Sequence, residues 1–126
     1  MLEDALKIKF DKGVAEAECD DNVTNVLGIV HGGFITALLD TAMGSLIEKK
    51  AVTVNLNVEF IEPAFKGMIR AEGRVVRYGN DLVFTEGAVY QDNRLVARGS
   101  AIYFLLKEGQ LRLDRSRKSS GILHDK

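Results

Sequence analysis

From Val26 to Ile47 the chain reads VLGIVHGGFITALLDTAMGSLI, and only His31 and Asp40 in that run are strongly polar. No Lys, Arg or Glu falls between Gly32 and Ile47. A helix there lacks the charged solvent face of an ordinary amphipathic helix. Two surroundings could accept such a segment, a bilayer or the centre of a folded core. The run is long enough to span a bilayer. However, an aspartate near the centre costs roughly 2.5–3.5 kcal/mol on the insertion scale, and no second span follows. The expected element is therefore a buried core helix that something else wraps.

The rest of the chain supplies the wrapping. Thr53–Phe60 alternates strictly, with Val54, Leu56, Val58 and Phe60 against Thr53, Asn55, Asn57 and Glu59. That pattern is a half-buried strand. In MIRAEGRVVRY, Ile69, Ala71, Gly73 and Val75 share one face, and Arg70, Glu72 and Arg74 the other. Gly79-Asn80-Asp81 and Gln91–Arg94 are turn signals, and LVFTEGAVY and LVARGSAIYFLL continue as strands. An early strand is expected at GVAEAEC. A helix followed by an antiparallel meander predicts an α+β fold, with one long central helix wrapped by a curved antiparallel sheet. Strand 82–90 is apolar on both faces (Leu82, Phe84 and Ala88; Val83 and Val89). Together with the helix lacking a solvent face, this predicts a homo-oligomer.

Composition closes off other classes. The 126 residues suit a single domain over 1–126, with a core at about 13–106 and a polar tail over 107–126. The 17 basic and 18 acidic side chains nearly cancel, so no nucleic-acid partner is expected. One cysteine excludes an internal disulfide, and two histidines with it are too few for a zinc-type ligand set. Neither a metal nor another cofactor is expected. The N-terminus, MLEDALKIKFDKG, is too charged for a signal peptide. The expected setting is cytoplasmic, with no membrane partner.

Within the helix, Asp40 shares its side with Gly33, Thr36, Ala37, Met43, Gly44 and Ile47. These are mostly small residues, which allow another surface to come close. A buried carboxylate is costly unless it is paired or used. The plain alternatives are a surface aspartate or one satisfied by a neighbouring hydroxyl such as Thr36. Gly32 and Gly33 sit where the helix begins, and the unpaired N–H groups of a first turn can stabilise developing negative charge. A base and an oxyanion hole are the minimum for attack of water on an acyl carbon. His31 and Asn25 are polar groups of the loop entering the helix, where each is more often structural than catalytic. No G-x-S-x-G elbow, P-loop, H-E-x-x-H or G-x-G-x-x-G turn is present.

The pattern N25-VLGIV-H31-G32-G33-FITALL-D40-TAMG, followed by AVTVNLNVEFIEPAFKG and LVARGSAIYF, resembles the hotdog-fold acyl-CoA thioesterases. It looks like their PaaI-like and thioesterase-superfamily-member-2-like branch, within the 4-hydroxybenzoyl-CoA thioesterase superfamily. The resemblance runs from about Gly13 to Leu106. It implies hydrolysis of an aryl-, short- or medium-chain acyl-CoA to free acid and CoA. Asp40 matches the helix carboxylate acting as general base or nucleophile, and Gly32 the residue whose N–H polarises the thioester carbonyl, with Gly33 beside it. Asn25 matches the loop asparagine holding the thioester. His31 matches a histidine supporting the loop or the leaving thiolate, and Thr53 a hydroxyl that positions water. The resemblance also implies a dimer with a shared active site, extended to a tetramer as a dimer of dimers. The turn Gly79-Asn80-Asp81 departs from the family pattern, in which a basic residue and a hydroxyl help hold the nucleotide end of CoA. The rival readings are a non-catalytic acyl-CoA-binding or regulatory hotdog domain, and a hotdog dehydratase.

Overall fold

In the computed structural model, which describes residues 1–107, the apolar run divides into a loop and a helix. The elements in chain order are α1 (Leu2–Ala5), β1 (Lys9–Asp11), β2 (Val14–Cys19), α2 (Gly32–Gly44), β3 (Ala51–Phe60), β4 (Gly67–Tyr78), β5 (Leu82–Gln91) and β6 (Arg94–Leu105). Of the polar tail expected over 107–126, residues 108–126 lie outside the described residues. At 13 residues, α2 is about 20 Å long. Among the described residues, no helix is long and apolar enough to cross a membrane.

The strands form one six-stranded antiparallel sheet in the order β1-β2-β4-β5-β6-β3. This corrects the expected meander. β3 does not lie beside β4 but crosses to the far side of β6, leaving β3 at one edge and β1 at the other. The crossover is pinned by Gln91, whose Oε1 accepts from the Phe65 amide (2.9 Å) and whose Nε2 donates to the Phe65 carbonyl (2.6 Å). That exchange satisfies an almost fully buried amide side chain, which would otherwise be costly. The two N-terminal elements, α1 and β1, were not anticipated. Their short, charged segment carries too little period to announce a strand.

The helix reaches the sheet through a row of glycines. In register, Gly73 pairs with Gly87, and Gly87 with Gly99. A Cβ at Gly73 would stand 3.0 Å from the Cα of Met43, and one at Gly87 only 2.9 Å from Leu39 Cδ1. Side chains there would hold helix and sheet apart. The face of α2 set on this row buries Leu38, Leu39, Ala42 and Met43 completely. Each large side chain among them contributes roughly 1.5–3 kcal/mol. Met43 therefore belongs to the core face and not to the side of Asp40, as the helical wheel had grouped it.

At the β3 edge, strict alternation fails. A bulge between Thr53 and Asn55 shifts the register, so that Thr53 pairs with Tyr103 and Leu56 with Ala101. One extra residue reverses the phase of everything before it. Thr53, which alternation placed with the outward Asn55 and Asn57, thus turns toward the helix. Nor is β3 half-buried within one chain, since Val54 and Phe60 are each 55% exposed. The outer face of β5 is likewise partly open, at Leu82 and Tyr90.

Candidate active site

The face of α2 turned away from the glycine row carries Gly33, Thr36, Ala37, Asp40, Thr41 and Gly44, all exposed or half-buried. The two threonines turn back on their own helix: Thr36 Oγ1 donates to the Gly32 carbonyl and Thr41 Oγ1 to the Ala37 carbonyl, each at 2.8 Å. The partners of Asp40 come from the sheet. The Tyr103 hydroxyl donates to Asp40 Oδ1 at 2.6 Å and lies 3.0 Å from the Asp40 carbonyl oxygen. Thr53 Oγ1 approaches the same Oδ1 at 3.3 Å. Asp40 is thus met by neighbouring hydroxyls, as the plain alternative had it, but Thr36 is not one of them. Both bonds fall on one oxygen, and among the described residues nothing donates to Oδ2.

Tyr103 escaped the sequence reading. It lies in a strand run that is apolar on both faces and far along the chain from Asp40, so nothing local marks it. A tyrosine on the inward phase opposite Thr53 was the available signal, but only with the β3–β6 register known. Burial, followed by the Asp40 bond and charge, pushes its phenol well above the ordinary tyrosine value. It stays a donor at any working pH.

At the other end of the face, His31 occupies the N-cap without a capping side-chain bond. The first amides of a helix need acceptors from outside it, and neither the Gly32 nor the Gly33 N–H finds one among the described residues. The Phe60 ring closes over Gly32, 3.1 Å from where a Cβ would stand, whereas a Cβ at Gly33 would meet nothing within 4 Å. The loop leading in is shaped by Asn25. Its Oδ1 accepts from the amides of Leu27 (2.9 Å) and Ile29 (3.0 Å), and its own amide donates to the Ile29 carbonyl (2.8 Å). The asparagine oxygen is thus engaged inside its loop, with Gly28 at φ +79° completing the turn. Val26 and Leu27 project from that loop into the open, and His31 is also exposed.

A cleft of about 440 Å³ opens beside Asp40, between the two edges of the curled sheet. Asp40, Thr53 and Tyr103 line it together with Gly44 at the end of α2, Ile47 beyond it and Phe10 of β1. Ser45 fixes the helix end against the N-terminal hairpin, accepting from the Gly13 amide at 2.7 Å and donating to the Ala42 carbonyl at 2.8 Å. Of the expected site residues, the sheet brings Thr53 to Asp40. Gly32, Gly33, His31 and Asn25 lie at the opposite end of the helix. Of the basic side chains before the departing turn, Arg74 is paired with Glu86 and Lys66 with Asp21, whereas Arg77, two residues from Gly79, makes no ion pair among the described residues. Among the described residues, no group of three or more His, Cys, Asp or Glu could hold a metal ion.

Comparison with known proteins fits this architecture. The sequence profile of the thioesterase superfamily matches residues 27–98, more than half of the chain. A candidate esterase of Thermoplasma volcanium is 33% identical over 94 residues, 69% of this chain and 70% of its own. A Bacillus halodurans protein solved with CoA superposes with a TM-score of 0.78 at 33% identity, covering 83% of this chain and 75% of that one. The PaaI protein of the E. coli phenylacetic acid degradation operon shares the fold, with a TM-score of 0.79 at 21% identity over 84% of each chain. The six-stranded sheet around one helix is the hotdog fold, and the chain belongs to the thioesterase superfamily.

Proposed function

We propose that this thioester hydrolase cleaves acyl-CoA in a site built from the open α2 faces of two copies of the chain. The observation that carries the proposal is the arrangement along one helix face. Two amides without acceptors stand at one end, and two to three turns away is a carboxylate engaged through only one of its oxygens. On a single helix, eight residues separate Gly32 from Asp40 by about 12 Å. A carbonyl oxygen and the water attacking its carbon need both groups within roughly 3 Å of the reacting atoms. An antiparallel neighbour related by a two-fold axis removes the gap, because the Gly32–Gly33 turn of each copy then meets Asp40 of the other. Glycine, alanine and threonine on this face allow that approach. The edge strand β3, with Glu59 as its one charged side chain, is open to pair in the same assembly.

In this site a water held by Asp40 Oδ2 attacks the thioester carbon as its proton passes to the carboxylate. The carbonyl oxygen takes up the negative charge and is held by the glycine amides and the positive end of the helix dipole. Collapse breaks the carbon–sulfur bond, and the departing thiolate recovers the proton from Asp40, giving the acid and CoA thiol. A thiolate leaves readily, so no strong general acid is required. Thr53 steadies the carboxylate and the water beside it. Asn25 holds the loop that presents His31 and the amides, and His31 supports the leaving sulfur. The acyl group, aryl or of short to medium length, enters the cleft between Phe10 and Ile47. The relative solved with CoA supports this choice of thiol carrier.

The test is thiol release over a panel of acyl-CoA substrates by the wild-type chain and Asp40→Asn. The variant is expected to lose about 10²–10⁴-fold in kcat while keeping its melting temperature. Near-wild-type hydrolysis by the variant contradicts the role of Asp40. Tight binding with no turnover on any thioester would instead identify a binding domain.

A further inference from the structure

We propose that Tyr103 is a positioning residue for this reaction: its hydroxyl holds the Asp40 carboxylate by Oδ1, so that Oδ2 faces the cleft as the base. The inference rests on the proposed role of Asp40. It is carried by three observations. The Tyr103 hydroxyl is 2.6 Å from Oδ1, within the range of a short, charge-assisted bond. The side chain is 4% exposed, clamped on β6 between Val83 of β5 and Thr53 of β3. Gly44, one turn beyond Asp40, lies against the ring, where a Cβ would be in ordinary contact at 3.6 Å from the hydroxyl.

Such a clamp answers a need of the site. The terminal torsion of an aspartate is broad, so a half-exposed carboxylate on a helix does not by itself fix which oxygen faces the substrate. A tyrosine has two side-chain torsions, and this one is buried between neighbouring strands. Its hydroxyl is therefore a fixed point against which the carboxylate plane is set. Thr53, brought inward by the β3 bulge, adds a longer contact to the same oxygen. The arrangement assigns the two oxygens separate tasks, one for anchoring and one for chemistry. Activity then depends on Tyr103 through Asp40, although Tyr103 takes no part in the bonds made and broken.

Tyr103→Phe keeps the ring and removes the bond. It is expected to lower kcat about tenfold to hundredfold while KM stays within about twofold, since the lost bond acts on the reacting geometry and not on substrate binding. In an Asp40→Ala background the same substitution is expected to change the residual rate by less than about twofold, because the two residues act as one unit. Tyr78→Phe, on the exposed end of β4, serves as the control and is expected to leave kcat unchanged. Wild-type kcat in Tyr103→Phe overturns the proposal, and so does an equal fall in both Asp40 backgrounds. Should the variant fail to fold, NMR of the wild-type chain reads the bond directly. A slowly exchanging, downfield Tyr103 hydroxyl proton that vanishes in Asp40→Ala supports it, and its absence from wild type overturns it. An active Asp40→Asn would refute the proposed function itself, whereas an inactive Asp40→Asn beside a fully active Tyr103→Phe would refute this inference alone.

Discussion

The two faces of α2 are built from the same short helix and follow opposite rules. On one, Leu38, Leu39, Ala42 and Met43 are fully buried against a sheet thinned by Gly73, Gly87 and Gly99. On the other, Gly33 is exposed and Thr36, Ala37, Asp40, Thr41 and Gly44 are only half-buried. The first face fills space, and its residue types are set by volume. The second leaves space, and its small residues suit the approach of the proposed second copy. Leu39 and Asp40 are neighbours in sequence, yet one lies in the core and the other, in the proposed site, does the chemistry.

That contrast can be broken by crossing the effects. The largest separation is expected between those neighbours: Asp40→Asn costs rate with little change in melting temperature. Leu39→Ala should cost about 2–5 kcal/mol of stability in chemical denaturation, with kcat per folded molecule retained. A stability loss in the first, or a specific rate loss in the second, would show the faces to be coupled. Gly87→Ala comes next. Its Cβ would lie 2.6 Å from the Glu72 carbonyl and 2.9 Å from Leu39 Cδ1, and a loss of about 1–3 kcal/mol is expected from overpacking. Gly33→Ala is the matched opposite. A Cβ there meets nothing within 4 Å, so stability should hold or rise by up to about 1 kcal/mol while kcat/KM falls. The smallest effect is at Cys19, whose thiol is pushed up to about 11 by burial and then by Glu18 and Asp20. Its neutral form is favoured, so native protein should react with a disulfide reagent at pH 8 far more slowly than unfolded protein. Rapid labelling of the native chain would contradict the packing of β2.

The helix and the later strands were legible because periodicity and charge survive in one dimension. The absence of Lys, Arg and Glu between Gly32 and Ile47 announced a core helix, and alternation announced β3 and β4. What stayed hidden depends on pairing. The bulge at Val54 leaves no mark in composition, yet it decides that Thr53 faces Asp40. The crossing of β3 to β6 is a choice of neighbour that short alternating strands do not encode, and Tyr103 became visible only through it. Asn25 shows the converse limit. Its place in the motif was plain, but that its oxygen serves the loop's own amides required the geometry.

The central claim is that one active site needs the open faces of two copies, and subunit mixing tests it most directly. Asp40→Asn and Gly33→Val are each expected to be nearly inactive alone. If the base and the amides come from different copies, a mixed dimer carries one intact site and one doubly altered site. Unfolding and refolding the two variants together in equal amounts should then restore about a quarter of the wild-type activity. If mixing restores nothing although hybrids form, each site lies within one chain and the account is wrong.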